Sequence, residues 1–349
     1  MSRTLFALAS VALPALASLG SAQGKVWVVD DDDPTRSALP SIQLAVDAAC
    51  DGDAVLVRPG AYGPFEVFDK DLVVVAESGA AVASADGEGP AVSIAGLAAH
   101  RRVLILGLDV QAGAGVPVAL TDNRGAVWLE DARLDAGSFG AALRASDSHS
   151  VTLTRCDLAG AVVQDGGYLA FFDGSAAAVT VAEGRAFVSG SVLTEQNGAA
   201  LALEGAAAEA ALLGTTIALG GAVVDPFGAV EVVPGQARSV DATSLLREGE
   251  TGAIVLHGVP GERVPLGVGV ACRLVFPSEA DGPAAVFPET VLRTGVLPPA
   301  GSRLAEFTAG AVPEGDDFQV GFAQAAFLDQ AGIITLGAPA SVVVLAARF

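Results

Sequence analysis

Aspartate and arginine recur at a fixed interval in the middle of the chain. Asp109, Arg133 and Asp157 lie 24 residues apart; Asp131 and Arg155 share that spacing, and Asp173 is next in line. Carboxylates alternating with guanidinium groups can neutralise one another in a ladder, each exposed pair contributing about 0.2–1 kcal/mol. They can also hold a hard cation such as Ca²⁺, which takes oxygen ligands. The alternation of sign favours the ladder. Trp128, Phe172 and Phe187 stand out because aromatics make up only 5% of the chain. If exposed on one face, they are candidate ligand-binding rings that stack on sugars. The structural alternative, a loop or second domain lying over them, is the favoured one.

Other groups offer less. The run Asp30–Asp33 lacks the Asp-x-Asp-x-Asp-Gly spacing of a calcium loop and reads as a solvated turn. His100, His149 and His257 are too scattered to suggest a zinc pair or a Ser-His-Asp set. Cys50, Cys156 and Cys272 are odd in number and fit no zinc spacing, so a disulfide framework is excluded. Buried, small apolar residues is the reading for them, with one long-range disulfide left open. No metal site and no cofactor is indicated, Ca²⁺ alone being left open.

The spacing that aligns the charges also aligns strands. "VLILGLDV" at Val103, "VWLEDARL" at Val127 and "VTLTRCDL" at Val151 share apolar first, third and eighth positions. Weaker copies start at Leu72, Leu169, Ala186 and Ala210. A second set of short strands lies between them, at Ala91, Pro117, Ala141, Ala161, Ala177 and Ala199. One such unit cannot bury its apolar face alone, and stacking successive units does so. The expectation is an all-β chain whose main body is a parallel β-helix, each unit one coil. Equivalent positions then stack about 4.8 Å apart, and the second and fourth positions of each strand point outward.

An open solenoid end exposes core and unpaired edges. "SIQLAVDAAC" supplies a plug, with Ile42, Ala45, Val46 and Ala49 on one helical face and Ser41 as N-cap. Gly52 marks its stop, "AVLVRPG" is the first strand, and Pro59–Gly60 turns the corner. Upstream, Arg3, the apolar run from Leu5 to Leu19 and the small residues Gly20–Ala22 read as a signal peptide cut before Gln23. No later run is long enough to span a bilayer. The formal charge of −21 argues against nucleic acid and anionic membranes. From about Ser239 the repeat disappears and Pro and Gly punctuate short strands, as in a β-sandwich. The expected division is 1–22 signal peptide, 23–238 β-helix and 239–349 sandwich-like domain. The last is expected to cover the far end of the helix or to serve in attachment.

The segment from Trp27 to Tyr62 resembles the opening segment of the pectin lyase-like right-handed parallel β-helix superfamily. In particular it looks like exported bacterial β-helix proteins of the kind common in planctomycetes. The matching residues are Trp27, Val29 and Asp30; Ser41, Ile42, Gln43, Ala45, Val46, Asp47 and Ala49; and Gly52, Asp53, Val55, Val57, Pro59, Gly60 and Tyr62. The resemblance implies a right-handed β-helix with an N-terminal capping helix. It is silent on activity, since superfamily members include lyases, hydrolases, esterases and adhesins. Family lyases hold Ca²⁺ on surface carboxylates beside an arginine base, which makes Asp131, Arg155 and Asp173 weak catalytic candidates. The lyases' local signatures are absent, as is the pattern of the pectin esterases. The expected function is therefore an exported, non-catalytic protein, structural or carbohydrate-interacting, at the cell surface or outside the cell. A polysaccharide lyase or glycoside hydrolase is the alternative.

Overall fold

The computed structural model describes residues 24–349 except 33–37, 85–88, 114, 138–139 and 219. The expected signal peptide and Asp33 of the acidic run lie outside the described residues. The chain is nearly all β, and its larger body is a parallel β-helix whose coils build three walls.

The first wall stacks Val26–Val29, Asp53–Val57, Leu72–Ala76, Arg102–Leu106 and Ala126–Glu130, and continues to Ala208–Leu213 and Val230–Val233. Its register matches the sequence repeat: Leu72 pairs with Val103, Val103 with Val127, and Val127 with Val151. Val151 pairs with Leu169, Leu169 with Ala186, and Ala186 with Ala210. The second wall carries Asp109, Arg133 and Asp157 in one column. The third stacks the intervening strands, Val92 beside Val118, Leu143, Val162, Val179 and Leu201. Asn197–Gly198, both at positive φ, forms the tight turn between the second and third walls within one coil.

The opening motif is structural. Helix Ile42–Ala48 starts at Ser41, whose Oγ accepts from the Leu44 N–H at 3.3 Å, and buries Ile42, Ala45 and Val46 against the solenoid core. Lys70 Nζ donates to the carbonyls of Val46 and Ala49, which the helix end leaves without partners. Asp53, nearly fully buried, accepts from the backbone N–H groups of Lys25 and Cys50 and from the Trp27 indole. It therefore ties the strand before the helix to the strand after it. Gly60 leaves room for the Asp31 carboxylate, whose Oδ1 would lie 2.2 Å from a Cβ there.

The walls differ in burial. Strands of the second and third walls alternate, as in Val118–Thr121, whereas Asp53–Val57, Leu72–Ala76 and Ala126–Glu130 are buried at every position. Both faces of the first wall are covered, one by the solenoid core and the other by the C-terminal part of the chain. That part sets a three-stranded sheet (Ser239–Ala242, Thr251–His257, Ser302–Thr308) against a larger sheet containing Arg263–Gly269, Phe318–Leu328 and Ala340–Leu345. Ala323, Ala325 and Phe327 face the first of these. Phe318, Val320, Phe322, Val343 and Leu345 face the solenoid. Strand Ala340–Leu345 is thus apolar almost throughout because it too is buried on both faces.

This placement corrects the expectation that the C-terminal part covers the far end. It lies along the side, because the outer positions of the first wall are themselves apolar: Leu56, Val73, Val75, Leu104 and Leu106. Covering such a wall is favourable, at about 25 cal/mol per Å² of apolar surface removed from water. The cysteines are all free, which leaves no disulfide among them; Cys156 is buried as expected, but Cys50 is exposed.

Candidate functional site

One corner of the solenoid lines up the candidate charged residues. From Arg102–Leu106 to Ala208–Leu213, the chain leaves each first-wall strand through a left-handed residue: Gly107, Asp131, Arg155, Asp173, Gly190 and Gly214, with φ between 50° and 75°. The N–H groups of the first five bond to the next coil: Gly107 to Glu130 O, Asp131 to Thr154 O, Arg155 to Phe172 O, Asp173 to Ser189 O and Gly190 to Leu213 O. Behind this corner Cys156, Ser191 and Thr215 donate to backbone carbonyls inside the turn. Burial pushes the Cys156 thiol up to about 12, so it stays protonated and serves as a structural donor rather than a nucleophile.

Arg155 is the centre of the cluster. Its Nε lies 2.8 Å from Asp131 Oδ1 and its terminal nitrogen 3.1 Å from Oδ2, a bidentate pair. The same guanidinium meets Glu130, approaches Ser244 Oγ at 3.4 Å and stands 3.8 Å from Asp241. Burial acts to lower its pKa, but the hydrogen bonds and charges of Asp131 and Glu130 outweigh that and raise it further. A guanidinium so placed stays protonated and cannot take a proton from a substrate.

Glu130 was not singled out from sequence. It is fully buried, and burial raises its pKa against the opposing charge of Arg155. It accepts from the Trp128 indole at 3.1 Å and from the Ser341 N–H of the C-terminal sheet at 2.9 Å. Ser244, in the same domain, bridges to Asp131 Oδ2 at 3.0 Å. Asp241 holds His257 at 3.1 Å. Asp241, Ser244 and His257 lie beyond the repeat, so no spacing could have joined them to Arg155.

Asp173 is in the column but makes no ion pair with Arg155 within 4 Å. Its carboxyl is pushed up to about 7, first by burial and then by the charge of Asp241, and its Oδ2 is buried without a hydrogen-bond partner. The ladder expected from sequence is therefore partial. Arg155 satisfies Asp131. Asp109, Arg133 and Asp157 share register, yet Arg133 makes no ion pair among the described residues, and Asp157 accepts from Ser175 Oγ instead.

The three rings do point outward from the solenoid, but they are not open to solvent. Trp128 is 1% exposed and packs on Phe322 at 4.9 Å between centroids; Phe172 and Phe187 pack on each other at 5.9 Å. All belong to one apolar cluster with the C-terminal sheet. With the domain in place, none of them is available to a sugar.

A groove of about 410 Å³ lies open beside the second wall, lined by Asp157, Ser175, Thr194, Glu195, Gln196 and Asn197 among others. Small residues, Ala159, Gly160 and Ala177, make it concave. It offers carboxylates, hydroxyls and amides, and no cation. Among the described residues, no cluster of three or more His, Cys, Asp or Glu side chains is arranged to hold a metal ion, and no helix is long and apolar enough to cross a membrane.

Compared with known proteins, the chain matches no family model and no curated protein. Its classification therefore rests on its own architecture: an all-β chain in which a parallel β-helix carries a second β domain along one wall.

Proposed function

We propose that this is an exported, non-catalytic β-helix protein of the pectin lyase-like type. It acts as a structural or carbohydrate-interacting element at the cell surface or outside the cell. One observation carries the reading. Arg155, the only basic group of the candidate catalytic set, is held between Asp131 and Glu130 at the seam with the C-terminal domain. The cluster works as a latch, and the rings beside it as the packed floor of that seam.

A sugar would meet this chain at the groove of Asp157, Glu195, Gln196 and Asn197 rather than at Trp128, since carboxylates and amides accept from and donate to hydroxyls. No Ca²⁺ is needed for that contact. The alternative, a glycoside hydrolase, is favoured only by the presence of two carboxylates, Asp157 and Glu195, in that groove. The deciding experiment incubates the protein with acidic and neutral polysaccharides, with and without Ca²⁺, and follows chain cleavage and binding separately. Binding without cleavage supports the reading. Turnover that disappears in Arg155→Ala or Glu195→Gln overturns it.

A further inference from the structure

The two ends of the solenoid are finished differently. Helix Ile42–Ala48 closes the first. The last coil, Thr216–Ile217, Ala222–Val224 and Val230–Val233, carries no such plug among the described residues. Its core positions continue the buried columns: Ile217 follows Leu193, Val223 follows Leu201 and Val232 follows Leu212. Leu193 and Leu201 are fully buried, yet Val223 is 43% and Val232 73% exposed. Phe227 stands half-exposed at the rim. Its turn is fixed by Asp225, which accepts from the N–H groups of Phe227, Ala229 and Val230. Among the described residues, each of the three strands is paired along one edge only. An apolar face bordered by free strand edges is what strand addition uses: main-chain bonds supply affinity and alternate side chains supply fit.

Charge says what fits there. Residues 186–237 contain no Lys, Arg or His, and they carry Glu195, Glu204, Glu209, Asp225 and Glu231. Asp225 and Glu231 belong to the last coil itself, while Glu209 one coil back pairs with Arg185 at 3.9 Å; a second copy stacked on this end would oppose like carboxylates. A cationic strand would meet complementary charge around an apolar centre.

We propose that the open end of the solenoid is a strand-addition site for an extended cationic segment of another protein, with alternate apolar side chains seated on Val223 and Val232. The site adjoins the groove at Glu195 and is separate from the domain seam, and the proposal holds whether or not the chain binds sugar.

The test uses the full chain and a labelled peptide of alternating Val and Lys, read by fluorescence anisotropy. Saturable binding is expected, weakening as salt is raised. The same peptide with Glu in place of Lys should not bind. The double variant Val223→Asp/Val232→Asp should lose affinity by about tenfold or more, with its unfolding midpoint unchanged because both side chains are exposed. Val223→Lys/Val232→Lys should lose it as well. Three results would overturn the proposal: no binding, equal binding by the wild type and both variants, or a wild-type dimer that the variants abolish, which would make a second copy the occupant.

Discussion

The carboxylate of Glu130 on the solenoid grips the backbone of Ser341 in the C-terminal domain, the Ser341 N–H lying 2.9 Å from Oε2 and 3.2 Å from Oε1. Glu130 also accepts from Trp128 and pairs with Arg155. One buried charge thus joins the candidate ring, the candidate arginine and the second domain.

Removing that charge leaves the Ser341 and Trp128 donors unsatisfied and strips a buried partner from Arg155. Glu130→Ala should lower stability by about 3–5 kcal/mol, measured by denaturant unfolding. A loss below about 1 kcal/mol would mean that the seam does not depend on this latch.

Trp128→Ala should open a cavity against Phe322 and cost about 3–5 kcal/mol. Any sugar affinity should be unchanged. An unaltered melting temperature together with lost sugar binding would restore Trp128 as a ligand-stacking ring.

Asp173 gives the seam a pH dependence. Its folded-state pKa is raised from 3.8 to about 7, so the folded protein binds the proton more tightly than the unfolded chain does. Stability contributed by this group therefore falls as pH rises from about 4 to about 7 and stays low above that. Asp173→Asn should be more stable than the wild type at pH 8, by on the order of 1–2 kcal/mol once solvent screening is allowed for, and nearly equal to it at pH 4. Unfolding curves at the two pH values decide this; a wild type that gains stability relative to the variant on going to pH 8 contradicts the assignment.

At the plugged end, Val46 is buried against the first coil. Val46→Asp places an unpaired charge there and should cost several kcal/mol. An unchanged thermal midpoint would show that helix Ile42–Ala48 does not close the core.

The coil register was legible because period and burial agree: the inward positions of seven strand starts, from Leu72 to Ala210, all align. The helical plug was legible from Ser41 and the spacing of Ile42, Ala45 and Val46. The docked wall left a signal that an inward/outward alternation argument passes over. Its outward positions, such as Val73, Val75, Leu104 and Leu106, are as apolar as its inward ones, which is the pattern of a strand covered on both faces. What covers it was not legible. The contacts of Glu130 with Ser341 and of Arg155 with Ser244 and Asp241 join residues 86 to 211 positions apart, outside any repeat.

The central claim is that the wall bearing Trp128 is a docking surface and not a binding face. The emission of Trp128 reports on this directly once Trp27, the only other tryptophan, is replaced in a Trp27→Phe background. The account predicts blue-shifted emission that resists acrylamide quenching and is indifferent to added polysaccharide. Emission near that of free tryptophan, readily quenched and shifted by a polysaccharide, would contradict it.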